Sequence, residues 1–161
     1  MVITLMGVSG SGKTTIGRLL AQDLGWPFYD GDDFHPQANV DKMRQGIPLT
    51  DDDRDSWLTA LRHQIDTLID NRRSAILACS ALKQAYRERL GGDRPEVHFI
   101  YLQGDYALIR QRLRKRQGHF MPADLLASQF DTLEEPEGVP AIAIAQEPQA
   151  IVECIKRALG L

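Results

Sequence analysis

The densest chemistry in this chain lies in eight consecutive residues, Gly7-Val8-Ser9-Gly10-Ser11-Gly12-Lys13-Thr14, which fit the spacing G-x-x-x-x-G-K-[ST]. Glycines at Gly7, Gly10 and Gly12 let the amides of this stretch, with those of Ser9 and Ser11, turn inward onto phosphate oxygens. Lys13 would reach the β and γ phosphates, the Thr14 hydroxyl would ligand Mg²⁺, and Thr15 adds a second hydroxyl in the first helical turn. A Gly/Ser-rich linker could show the same composition. The flanks argue against one, because Val2 to Met6 reads as a buried strand and Ile16, Leu19, Leu20 and Leu24 recur at helical spacing. A nucleoside triphosphate is the expected ligand.

Transfer of a phosphoryl group needs cations around the migrating group, a metal, and a carboxylate that positions or deprotonates the accepting hydroxyl. Asp30 and Asp32 offer that carboxylate: two apart on an extended segment, both would face the mouth of the loop, one toward Mg²⁺-bound water and one toward the acceptor. Turn capping is the competing reading. Arg54 closes the run Asp51-Asp52-Asp53-Arg54; the three aspartates suit a solvated helix start, while the guanidinium could fork onto a substrate carboxylate. Lys83 and Arg87, four apart, share a helix face that points at the cleft or at solvent. His35 precedes Pro36 in a loop, a common place for a structural histidine. The concentrated basic stretch Arg110 to Arg116 abuts Gln117-Gly118-His119-Phe120-Met121-Pro122, so it reads as a lid in which Arg112 and Arg116 close over the triphosphate; a solvated basic face is the alternative.

These groups need elements to hold them. Residues 1–161 have the size of a single domain, and 43% of them are hydrophobic. Short apolar runs at Val2 to Met6, Pro27 to Tyr29, Ala75 to Cys79, Val97 to Leu102 and Ala141 to Ala145 alternate with helical patterns. Helices are expected up to Leu24 with Gly25 as the cap, from Pro36 to Gln45, from Asp51 through Ile69, from Lys83 to Leu90, and from Pro148 to Leu159. That alternation predicts an α/β fold with a central parallel five-stranded sheet between helices. Ligands then gather beyond the carboxyl ends of the strands, so Asp30, Asp32, Ser80, Lys83, Gly104 and Asp105 should ring one cleft.

The net charge of −3 argues against nucleic acid as a partner. No apolar run approaches the ~18 residues of a membrane span, and no secretory leader pattern opens the chain, so a cytoplasmic protein is expected. Cys79 and Cys154, with apolar neighbours and no C-x-x-C spacing, read as core thiols.

Taken together, the chain resembles small bacterial gluconokinases, relatives of shikimate kinase and the nucleoside monophosphate kinases. The resemblance runs nearly end to end, through the loop at Gly7 to Thr14, Asp30-Gly31-Asp32-Asp33-Phe34-His35-Pro36, Asn39 with Lys42-Met43, Gly46 to Leu49, Asp51 to Arg54 with Trp57-Leu58, Cys79 to Lys83 with Tyr86-Arg87, and Gly118 to Met121 with Ser128-Gln129-Phe130. It implies a three-layer P-loop NTPase fold, nucleoside-monophosphate-kinase-like with a mobile lid at about 112–128 and a substrate-binding helical insertion at about 33–70. It further implies ATP- and Mg²⁺-dependent phosphorylation of the 6-hydroxyl of D-gluconate. On matching positions, Asp32 becomes the base or positioning carboxylate, Asp30 steers metal-bound water, and Lys13 and Arg116 join the catalytic set. Arg54 and Lys83 become carboxylate or hydroxyl ligands, and His35, Arg87 and Gln129 polyol contacts. Homodimers are common in such a family. One departure concerns the adenine side: many relatives carry aspartates where this chain has Ala143 and Ala145, followed by Gln146-Glu147-Pro148.

Competing assignments fare worse on the residues. A regulatory GTPase should show Asp followed three residues on by Gly, and an Asn-Lys-x-Asp motif; neither occurs. A shikimate kinase should show a Gly-Gly-Gly run after strand three, where this chain has Ser80-Ala81-Leu82-Lys83. A nucleoside monophosphate kinase needs an arginine-rich second phosphate site, for which Arg44 and Arg54 are thin support.

Overall fold

A computed structural model describes residues 1–115 and 123–161. Five strands, β1 (Val2–Met6), β2 (Phe28–Asp30), β3 (Ala75–Ala78), β4 (Val97–Gln103) and β5 (Ala141–Ala143), form one sheet. All pairings are parallel, in the order β2-β3-β1-β4-β5. The chain therefore builds outward from β1 to one edge, returns, and crosses to the other side. That reversal puts the carboxyl end of β1 at the switch point, where the loop from Gly7 begins.

Strand alternation divides the core in two. Ile3 and Leu5 face one layer with α1 (Lys13–Leu24) and α7 (Pro148–Leu159), where Ile16, Leu20, Ile151, Val152 and Ile155 complete the packing. Val2 and Met6 face the opposite layer, formed by α3 (Asp51–Asp70) through Trp57, Leu58, Leu61, Ile65 and Leu68. The central strand is buried along its whole length, as an apolar run in a parallel sheet should be. Across the helices of the first layer, Lys156 pairs with Asp23 at 2.7 Å.

The remaining elements frame the site. They are α2 (Gln37–Arg44), the short α4 (Gln84–Arg87) that runs into a wider turn at Glu88–Gly92, α5 (Tyr106–Lys115) and α6 (Ala123–Thr132). Several boundaries differ from expectation. The second strand runs one residue further, so Asp30 ends it rather than following it, and the last strand stops at Ala143. Cys79 is buried as expected; Cys154 is only half-buried, on the outer part of α7.

Helix α3 starts where its chemistry dictates. Thr50 accepts from the Asp53 amide at 3.2 Å and the Asp53 carboxylate accepts from the Thr50 amide at 2.9 Å, a closed capping box. The acidic run is not the merely solvated start expected of it. Asp53 also takes both close contacts of Lys42 Nζ, at 2.8 and 2.9 Å, which ties α2 to α3 and holds the Asp53 carboxyl down at about 2. Asp51 is likewise engaged, by Lys83 at 3.1 Å and by the Tyr86 hydroxyl.

Candidate active site

The phosphate loop is built from backbone. Gly10 and Gly12 sit at φ +81° and +97°, and a Cβ on Gly7 would meet the Leu102 carbonyl at 2.9 Å, so the motif's glycines are required by conformation and by contact. Lys13 Nζ donates to the carbonyls of Gly7 at 2.9 Å and Val8 at 3.0 Å, which holds the ammonium over the loop. Gly10, Ser11, Gly12 and Thr15 border one hollow together with Arg112, Leu113, Gln146 and Pro148. Arg112 is anchored there by Nη2 donating to the Ile144 carbonyl at 2.7 Å. Arg116 and the loop through Pro122, including His119, lie outside the described residues, so half of the expected arginine pair has no structural account.

On the other side of the loop, a second cleft joins Ser9, Lys13 and Asp32 to His35, Arg54, Trp57, Ser80 and Gln129. Asp32 lines this cleft while Asp30 lines an adjoining hollow with Lys13 and Thr14, a different geometry from the extended alternation expected of the pair. Asp30 ends β2 and caps a 3₁₀ turn, Gly31–Phe34, by accepting from the Asp32 amide at 3.0 Å. Capping and a metal role are thus compatible in one residue, since its other oxygen takes the Thr14 hydroxyl at 3.3 Å. A Cβ on Gly31 would meet the Ala78 carbonyl at 2.5 Å, so only glycine lets this turn lie so close to β3. The Trp57 indole N–H closes the turn from α3, donating to the Gly31 carbonyl at 2.7 Å.

Asp32 projects from that turn into the cleft. Surrounding protein raises its carboxyl above the ordinary value; Lys13 opposes the rise, while Asp30 and Asp33 add to it. With 79% of the side chain still accessible, water moderates that rise in the open cleft. His35 lies beneath, stacked on Trp57 with centroids 4.2 Å apart and planes 13° apart. Burial, assisted by Arg54, pushes its imidazole down to about 4, so it is neutral near pH 7. Its Nδ1 is 3.2 Å from Asn39 Nδ2, and its Nε2 is 3.9 Å from Asp32.

The remaining expected residues divide sharply. Arg54 borders the cleft, and Gln129 reaches it from α6 with its Oε1 accepting from the Ser9 amide at 2.7 Å. Lys83 sits back from it in an ion pair with Asp51. Arg87 is turned away: it is buried, and donates to the carbonyls of Ala81 at 2.7 Å and Glu134 at 2.9 Å. Burial lowers its guanidinium's affinity for a proton, against the pull of Glu134 and Glu88. It works as a brace between the loop after β3 and the segment after α6. Gly104 and Asp105 do not join the ring either; they open on a separate hollow beside Tyr101 and Phe130, and Asp105 caps α5 through the Leu108 amide at 2.8 Å. Trp57 in the cleft and Tyr86 behind it carry no chemical role predicted from the sequence. An indole or phenol amid an apolar period gives no sign that its polar atom is used elsewhere.

The metal side is suited to a hard cation. Thr14 and Asp30 present adjacent oxygens beneath the loop, and among the described residues no group of three or more His, Cys, Asp or Glu could cage a metal unaided. That fits Mg²⁺, which keeps waters and phosphate oxygens as ligands beside one or two protein groups.

Comparison with known proteins agrees with this geometry. A family model described as shikimate kinase matches residues 9–132. The chain is 51% identical over 133 residues to the thermosensitive gluconokinase of Escherichia coli, covering 83% of this chain and 71% of that one. It is 45% identical to the gluconokinase of Gluconobacter oxydans, covering 94% and 86%. The crystal structure of a gluconokinase from Sinorhizobium meliloti superposes with a TM-score of 0.90 at 41% identity, covering 99% of this chain and 91% of the other. With a phosphate loop on one side of Lys13 and a carboxylate–arginine cleft on the other, the chain belongs to the gluconokinase branch of the shikimate kinase family of P-loop kinases.

Proposed function

We propose that this kinase transfers the γ-phosphoryl group of ATP to the 6-hydroxyl of D-gluconate, giving 6-phospho-D-gluconate and ADP. The carrying observation is the joint cleft in which Lys13 and Asp32 face Arg54 across the mouth of the phosphate loop. Asp32 accepts the proton of the attacking hydroxyl, whose oxygen forms the new P–O bond as the bond to ADP breaks. A carboxyl raised by its surroundings is a better proton acceptor than an ordinary one. Lys13 offsets the charge that develops on the migrating group, and Arg116, outside the described residues, is assigned the same role by family resemblance alone. Arg112 contributes on the nucleotide side.

Arg54 receives the acceptor's carboxylate, while His35 and Gln129 line the polyol; His35 acts as a neutral hydrogen-bonding group. Lys83 acts at second hand, through Asp51, and Arg87 through the loop it braces. Thr14 would hold Mg²⁺ directly and Asp30 through water, and the ion would supply charge neutralisation on the triphosphate. A cytoplasmic location is proposed by family likeness; among the described residues no helix is long and apolar enough to cross a membrane. A homodimer is the proposed assembly, by family likeness.

A coupled ADP-release assay tests this reading against gluconate, other aldonates, shikimate and nucleoside monophosphates. Gluconate should give the highest kcat/KM. Release with shikimate and none with gluconate would overturn the assignment.

A further inference from the structure

Tyr86 forms a junction that the phosphoryl-transfer scheme does not use. It lies on α4 with 5% of its surface exposed, behind the cleft rather than in it. Its hydroxyl donates to Asp51 and accepts from Arg54 Nη1 at 3.3 Å. The ring also lies under the guanidinium, whose central carbon is 5.4 Å from the centroid. A second bond from the same Nη1 goes to the Leu49 carbonyl at 2.7 Å.

Among the described residues, both hydrogen bonds of Arg54 leave from Nη1, so the donors of Nε and Nη2 remain on the opposite edge. Such an edge matches the two oxygens of a carboxylate. We propose that Tyr86 is a positioning residue for the acceptor: its hydroxyl, oriented by Asp51, fixes Nη1 of Arg54 so that the guanidinium presents its remaining edge to the acceptor's carboxylate. Asp51 sets the direction of the relay, since a phenol that donates to a carboxylate has its lone pairs turned to the arginine. Lys83, paired with Asp51 at 3.1 Å, balances the aspartate's charge and keeps it from repelling an anionic acceptor.

This inference rests on gluconate as the acceptor, and wild-type turnover with gluconate checks that point separately. Tyr86→Phe keeps the ring under the guanidinium and removes only the hydroxyl. It should raise the KM for gluconate about tenfold while kcat and the KM for ATP stay near wild type. The same substitution in an Arg54→Ala background should add nothing, because the group it positions is gone. Asp51→Asn, made at the exposed end of the relay, should raise the KM for gluconate in the same direction without disturbing the core. An unchanged KM in Tyr86→Phe, or an equal rise with and without Arg54, would overturn the proposal. Absence of gluconate turnover in the wild type would instead overturn the substrate assignment.

Discussion

The donor and acceptor halves of this active site are held by different physical means. On the donor side, the proposed phosphate contacts are backbone amides whose directions follow from three glycines and the start of α1. On the acceptor side, the proposed functional groups are side chains positioned by partners from other elements: Asp32 by the Asp30 cap and Trp57, Arg54 by Leu49 and Tyr86, and His35 by Asn39, itself held by the Asp53 carbonyl at 2.7 Å. A backbone cradle tolerates changes around it. An acceptor pocket built from long-range side-chain contacts can be retuned by a single substitution, which suits a fold that serves many acceptors. The hydrogen bond from the Ser9 amide to Gln129 joins the two halves directly.

That contrast can be broken in stages. Lys13→Ala should reduce kcat by roughly a thousandfold or more in the ADP-release assay, with any acceptor, because the developing charge loses its nearest cation. Asp32→Asn should lower kcat about a hundredfold and leave the KM for gluconate within a few fold; near-full turnover would mean that Asp32 is not the base. Arg54→Ala should raise the KM for gluconate by roughly 10- to 100-fold and spare the KM for ATP. An equal rise for ATP would show that the two halves are not separable.

The smaller effects concern stability. Trp57→Phe removes the indole donor to the Gly31 carbonyl and costs about 1–3 kcal/mol, a Tm loss of about 2–4 °C per kcal/mol by calorimetry. The signature of His35 is a pH dependence. Its folded value near 4 lies below the ordinary 6.5, so as pH falls between them the unfolded chain takes up a proton that the folded one refuses, and stability declines. His35→Phe, which preserves stacking on Trp57, should flatten the Tm profile over that window. A profile that keeps its slope would assign the effect to another group.

The donor half was readable because its information is local. Eight residues at fixed spacing define it, and the flanking strand and helix have the periods expected of them. The parallel sheet was readable for the same reason, although strand alternation alone does not order β2-β3-β1-β4-β5. The acceptor half depends on pairs such as Lys42 with Asp53, Lys83 with Asp51 and Arg54 with Tyr86, 11 to 32 residues apart. No spacing rule covers such pairs. Arg87 illustrates the hazard: an arginine one turn from a lysine just after a strand has the spacing of a ligand, yet its guanidinium is buried against two carbonyls. The sequence signal for Trp57 is its place one turn after the acidic helix start; its contact with the Gly31 carbonyl comes only from the fold.

Ala81 balances strain against burial. It follows Ser80 with φ at +45°, its methyl fully buried and its carbonyl bonded to Arg87. A side chain in that left-handed region costs roughly 1–2 kcal/mol. Ala81→Gly would relieve the strain while giving up a buried methyl and adding unfolded-state freedom, losses of about the same size. The two alleles should be nearly equal in stability. The turn after β3 therefore takes alanine or glycine at this position at little net cost in stability, and the Arg87 bond to its carbonyl holds its shape with either.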